Sequence, residues 1–159
     1  MHAKLKIEKD TLGQVFEVPN GDFLVSTDPT RLDFEFIHRY LAGESYWSQG
    51  IPLEVVQKAA QGSLCFAIYH GQQQIAYARV ISDGATYGYI ADVFVVETYR
   101  GQGLGQWLMT CIFNHPQLQG FRRWSLATQD AHGLYEKFGF TPLQRPDVYM
   151  EKVNFRKYV

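Results

Sequence analysis
Val93-Phe94-Val95-Val96-Glu97-Thr98-Tyr99-Arg100-Gly101-Gln102-Gly103-Leu104-Gly105-Gln106-Trp107-Leu108-Met109 reads as a buried strand that runs through a glycine-rich turn into a helix. Four apolar, mostly β-branched or aromatic residues open the stretch. Gly101, Gly103 and Gly105 stand where the helix begins, and each glycine inside a first turn costs roughly 1 kcal/mol of helix stability. In exchange a glycine lets another group approach the backbone with no Cβ in the way. A helix N-terminus presents unpaired N–H groups and the positive end of the helix dipole, a combination suited to phosphate. Leu104, Trp107, Leu108, Cys111 and Ile112 then recur at helical spacing and supply a face for packing on a sheet.

Two familiar phosphate loops do not fit. The chain contains no Gly-Lys-Ser or Gly-Lys-Thr ending, which removes the Walker loop. The dinucleotide fingerprint needs glycine at its first, third and sixth positions; the sixth is Gln106 counted from Gly101 and Leu108 counted from Gly103. The pattern Gln/Arg-x-x-Gly-x-Gly/Ala is met by Arg100, Gly103 and Gly105, and it resembles the pyrophosphate loop of the GNAT superfamily of N-acetyltransferases. A second motif lies about thirty residues on, beyond one strand. Ala131-His132-Gly133-Leu134-Tyr135-Glu136-Lys137-Phe138-Gly139-Phe140 resembles that family's Ala-x-x-Leu-Tyr-x-x-x-Gly-Phe signature. The two motifs together are far more specific than either alone. With the strands before them, the resemblance covers roughly residues 23 to 153.

The rest of the chain agrees with one acetyltransferase domain spanning 1–159. With 159 residues, 46% of them hydrophobic and 15% aromatic, it can bury a full core. A net charge of −1 without a basic run argues against nucleic acid. Cys65 and Cys111 are isolated and the histidines show no ligand spacing, so neither a disulfide framework nor a metal site is expected. No stretch reads as a signal peptide or an 18-residue apolar span, and the expected location is the cytoplasm.

In order along the chain, residues 1 to 14 are polar and uninformative. Val15–Val18 and Phe23–Ser26 flank an Asn20-Gly21 turn, a hairpin signal. Asp28 reads as the N-cap of a helix with Pro29 at its first position, Leu32, Phe36, Ile37, Tyr40 and Leu41 on its apolar face, and Gly43 at its end. A second helix is expected from Pro52 to Ala60, stopped by Gly62. Leu64–Tyr69, Gln74–Ile81 and Thr86–Val96 form an antiparallel meander. After the glycine-loop helix come a strand over Arg123–Thr128, a short helix over Ala131–Phe138 and a last strand over Val148–Val153. The fold class is therefore α/β with a mixed sheet, an antiparallel meander followed by a βαβ crossover. The crossover loop places the ligand at the carboxyl end of a central strand.

The resemblance implies acetyl-CoA as acyl donor and a primary amine as acceptor, joined by direct attack in a ternary complex. A small-molecule amine leads, with a protein lysine or N-terminus second. A non-catalytic acyl-CoA sensor is the alternative of a different class. Tyr135 matches the family tyrosine that faces the CoA sulfur and is expected as general acid. Asp92, flanked by apolar residues on its strand, needs a partner or a wet cleft. It occupies the site where some relatives carry a Glu-Asp pair that orients or deprotonates the amine, but Ala91 replaces half of that pair. Glu97 reads as a solvated residue at the strand end.

Backbone N–H groups of Val93, Phe94 and Val95 are implied as partners of the thioester and pantetheine. Arg100, Gly101, Gln102, Gly103, Leu104, Gly105 and Gln106 are implied for the pyrophosphate. Thr128 stands where the family often has an asparagine that contacts pantetheine. The first two helices and their loop, with Tyr46 and Trp47, are implied to wall the acceptor together with Asp92. Arg79 and Asp83 are left without a role. Asp130 and His132 beside Cys65 or Cys111 would be needed for a thiol hydrolase, but no nucleophile elbow accompanies them. The partners are therefore acetyl-CoA and an amine, without nucleic acid or membrane; a homodimer is compatible with this reading.

Overall fold
The computed structural model describes residues 14–158, so the first thirteen residues, part of the uninformative stretch, lie outside it. Among the described residues a six-stranded sheet runs in chain order: β1 (Glu17–Asn20), β2 (Phe23–Ser26), β3 (Leu64–His70), β4 (Gln73–Ser82), β5 (Tyr87–Val95) and β6 (Arg123–Ser125). The first five pair antiparallel and β6 joins β5 in parallel, which makes the sheet mixed as expected. The Gly21-Asp22 turn joins β1 to β2, with Gly21 at φ +59. That hairpin continues the meander rather than standing apart from it.

Helices α1 (Phe34–Gly43) and α2 (Leu53–Gln61) cover one face, and α3 (Leu104–Phe113) and α4 (His132–Glu136) cover the other. Phe36, Ile37, Tyr40, Leu41 and Val56 pack with Cys65, Tyr77 and Phe94 on the first side. Leu108, Met109 and Ile112 pack with Phe66, Ile68, Ala78 and Ile90 on the second. The Tyr40 ring stacks on Phe94 with centroids 3.8 Å apart. Ile90 and Phe94 lie four residues apart on one strand yet serve opposite cores, which a regular strand of period two does not allow. The register explains it: Tyr77 pairs with Phe94 and Arg79 with Ala91, so Asp92 and Val93 together oppose Ala78. This is a β-bulge, and the extra residue reverses which face the following side chains meet.

Three expectations need correction. Asp28 caps only a 3-10 turn, Pro29–Arg31, by accepting the Thr30 N–H. Leu32 is then extended, and Asp33 caps α1 by accepting the Phe36 N–H at 3.0 Å. The predicted strand Arg123–Thr128 ends at Ser125 because the chain leaves β5 there. The predicted strand Val148–Val153 is absent. Val148 ends a 3-10 turn, and Met150 beyond it is 98% exposed. With no apolar face buried there, nothing fixes a register.

Candidate active site
β5 and β6 pair only from Tyr87 to Tyr89, opposite Arg123 to Ser125. Gly88 allows this close pairing, since a Cβ there would fall 2.6 Å from the Trp124 ring. Beyond Tyr89 the two chains diverge. β5 continues to Val95 with β4 on one side and no strand on the other. Alternate peptide groups along its open edge are thereby left without a ladder partner. The gap is a cleft of about 660 Å³ lined by Tyr89 to Val93 from β5, by Leu126 to Ala131 from the chain after β6, and by Tyr46, Trp47, Arg79 and Tyr135. Six of the residues expected from sequence therefore meet in one place: Tyr46, Trp47, Asp92, Val93, Thr128 and Tyr135.

Tyr135 sits on α4, buried apart from its place in the cleft wall. Its hydroxyl has no hydrogen-bond partner among the described residues. Burial chiefly, with Tyr46 and Asp130 nearby, pushes its ionisation up to about 12. The Thr128 hydroxyl accepts the Ala131 N–H at 3.1 Å and so holds the start of α4.

Asp92 stands at the bulge with φ +54, the only non-glycine residue at positive φ among those described. Aspartate tolerates this region better than branched residues do. Both its oxygens are engaged: Oδ1 accepts from Trp47 Nε1 at 2.8 Å and Oδ2 from Arg79 Nε at 2.6 Å. Arg79 Nη1 also donates to Ser63 Oγ at 3.3 Å. Sequence reasoning left Arg79 unassigned. The one signal was a cation inside the apolar strand Ala76-Tyr77-Ala78-Arg79-Val80, which needs a carboxylate across the sheet. Asp83, by contrast, accepts the N–H groups of Ala85 and Thr86 and closes a turn.

The glycine loop does not line this cleft but leads off the carboxyl end of β5 into α3. Gly101 and Gly103 have φ +82 and +80, so the backbone itself demands glycine at both. Gly103 is the N-cap of α3, and no side chain caps that terminus. Gly105 differs: it is helical, and a Cβ there would meet only Leu134, at 3.9 Å. Gln102 lies between these glycines, and the first-turn residues Leu104 and Gln106 flank Gly105, with Leu104 buried in the α3 core. Arg100 donates from Nε to the Val95 carbonyl at 2.8 Å and from Nη2 to Tyr40 Oη at 3.0 Å, which braces the loop against α1. Glu97 is exposed in a 3-10 turn. Phe94, expected at the pantetheine, is spent twice over: its side chain lies in the core, and the alternation that gives the Val96 N–H to the Ile75 carbonyl turns its own peptide groups to Tyr77 on β4, leaving Val95 to face the open edge.

Cys65 and Cys111 are buried with their thiols pushed up by burial, which is opposite to what a nucleophilic thiolate requires. Among the described residues no group of three or more His, Cys, Asp or Glu is placed to hold a metal. No described helix is long and apolar enough to cross a membrane.

Known proteins resemble this chain in sequence and fold. The family profile "Acetyltransferase (GNAT) domain" matches residues 61–142. A candidate acetyltransferase of Gibberella zeae is 31% identical over 139 residues, spanning 74% of this chain and 77% of its own length. A structure of a candidate GNAT-family acetyltransferase from Xanthomonas campestris pv. campestris is 48% identical, with a TM-score of 0.81 over 86% of this chain and 94% of its own. A more distant one, a predicted acetyltransferase from Clostridium acetobutylicum determined with acetyl-CoA, shares the fold at 19% identity. Its TM-score is 0.50, over 64% of this chain and 71% of its own. The chain belongs to the GNAT family of acetyltransferases, and membership implies an acyltransferase.

Proposed function
We propose that the protein transfers an acetyl group from acetyl-CoA to a primary amine by direct attack in a ternary complex, with a small-molecule amine as acceptor. The observation that carries this reading is that Tyr135, its hydroxyl unpartnered among the described residues, lines the same cleft as the stretch of β5 that β6 leaves unpaired. The residues present fit the donor. The uncapped start of α3, with Gly101 to Gln106, offers N–H groups to a pyrophosphate. The Val95 N–H, on the open edge of β5, lies where a pantetheine arm would pair, and Val93 and Thr128 border the cleft.

Acetyl-CoA supplies an acyl group activated as a thioester. Fixed backbone donors that face the acyl oxygen contribute about 3 kcal/mol as charge develops there. The leaving thiolate has an ordinary pKa near 8.5. Against a tyrosine at about 12, complete proton transfer is uphill by roughly 5 kcal/mol. Tyr135 therefore serves chiefly as a hydrogen-bond donor to the departing sulfur. An acceptor amine near pKa 10.4 must shed a proton before attack. Tyr46, Trp47 and Asp92 form its wall, and an indole face beside a carboxylate suits an ammonium. A small acceptor is favoured because Tyr46 and Trp47 reach across the cleft and narrow its mouth.

The test is release of free thiol from acetyl-CoA in the presence of amines, amino acids, polyamines, aminosugars and short peptides. Turnover with a small amine supports the reading. Turnover confined to peptides moves the acceptor to a protein amine. Acetyl-CoA binding without any turnover favours the sensor.

A further inference from the structure
The loop between α1 and α2 is fastened to both sides of the cleft. Trp47 Nε1 donates to Asp92 Oδ1 on β5 at 2.8 Å, and Tyr46 Oη accepts the Gln129 N–H at 2.7 Å from the chain beyond β6. The loop's own root is fixed, since buried Ser45 Oγ donates to the Leu41 carbonyl at 2.6 Å and accepts the Ser48 N–H at 3.0 Å. Behind Asp92 the chain of contacts continues through Arg79 to Ser63, whose hydroxyl donates to the Ala59 carbonyl in α2. A single line of bonds thus runs from the end of α2, through β4 and the β5 bulge, to the indole on the cleft wall. The carboxylate and guanidinium are only 9% and 17% exposed, so solvent screens their pairing weakly.

From this geometry we infer that Asp92 is a positioning residue rather than the proton acceptor: with Arg79 it holds Trp47, and through it the Tyr46–Trp47 strap, over the acceptor site. The inference rests on the acetyl-transfer reading for the word acceptor, while the strap itself stands on the hydrogen bonds alone. The bulge serves this purpose, because a regular strand would not carry the residue between Ile90 and Phe94 that turns a carboxylate toward both partners. Both carboxylate oxygens are already committed, Oδ1 to Trp47 and Oδ2 to Arg79, so neither is left open toward an acceptor amine. The proton of the acceptor amine leaves instead to water in the cleft.

Two readouts on the full-length protein decide the matter. Asp92→Asn retains a residue at ease at positive φ, and Trp47→Phe keeps the ring but removes the donor. The chain has three tryptophans, and Trp47→Phe identifies which indole N–H resonance is Trp47. That resonance should exchange slowly with water in the wild type, and in Asp92→Asn it should shift and exchange faster. In amine kinetics each variant should lose roughly tenfold in kcat/KM through the acceptor KM. The double variant should be little worse than either single one, and the pH dependence should be unchanged. An indole resonance indifferent to Asp92→Asn overturns the proposal. So does loss of the acidic limb of the rate profile in Asp92→Asn alone, since that marks Asp92 as the base. If no amine is acetylated the proposed function falls, and the indole resonance still decides whether Asp92 holds the strap.

Discussion
In the proposed reaction the chemistry at Tyr135 turns on a hydroxyl that burial keeps protonated well past neutral pH. The working form is the neutral phenol. Raising the pKa from 10 to about 12 extends that form upward in pH, so Tyr135 gives kcat no alkaline limb below about pH 10. Tyr135→Phe should lower kcat roughly 100-fold while acetyl-CoA affinity holds, read by steady-state rates and calorimetry. An alkaline fall centred near pH 10 that vanishes in Tyr135→Phe would instead mean a phenol with an unshifted pKa. Tyr135 was legible in the sequence because its whole motif, Ala131 to Phe140, is contiguous. The partnership of Arg79 with Asp92 was not, because it depends on a strand register and a bulge that no local pattern encodes.

Among the elements, the strand–loop–helix unit was readable almost to its ends, from β-branched residues in β5 to the helical period of α3. What the pattern left unresolved was why each glycine is there. Gly101 and Gly103 answer to the backbone, whereas Gly105 has ordinary helical geometry and room for a methyl group within the protein. Gly105→Ala should therefore raise fold stability by up to roughly 1 kcal/mol in thermal unfolding. It should also weaken acetyl-CoA binding at least tenfold, because the methyl group would intrude where the ligand approaches. Gly103→Ala should cost about 1 kcal/mol of stability from its positive φ. Undiminished acetyl-CoA binding by Gly105→Ala would remove the pyrophosphate from this turn. The shortening of β6 and the missing strand after Val148 share a physical cause. Both segments have strand-like composition, but pairing needs a neighbour in register, and composition does not report one.

Across the molecule, the mixed sheet with helices on both faces follows from the order of elements, and the proposed function rests on one departure from regularity. Where β5 and β6 stop pairing, the sheet opens a cleft walled by α4 and the Tyr46–Trp47 loop, while the start of α3 stands off the carboxyl end of β5. The most direct test of the account is an amide chemical-shift map of the protein during titration with acetyl-CoA. The account predicts shifts concentrated in residues 90–95, 101–106 and 126–135, on both walls of the cleft and at the start of α3. No shifts under saturating ligand, or shifts confined to the far side of β6 around Arg122 and Arg145, would contradict it.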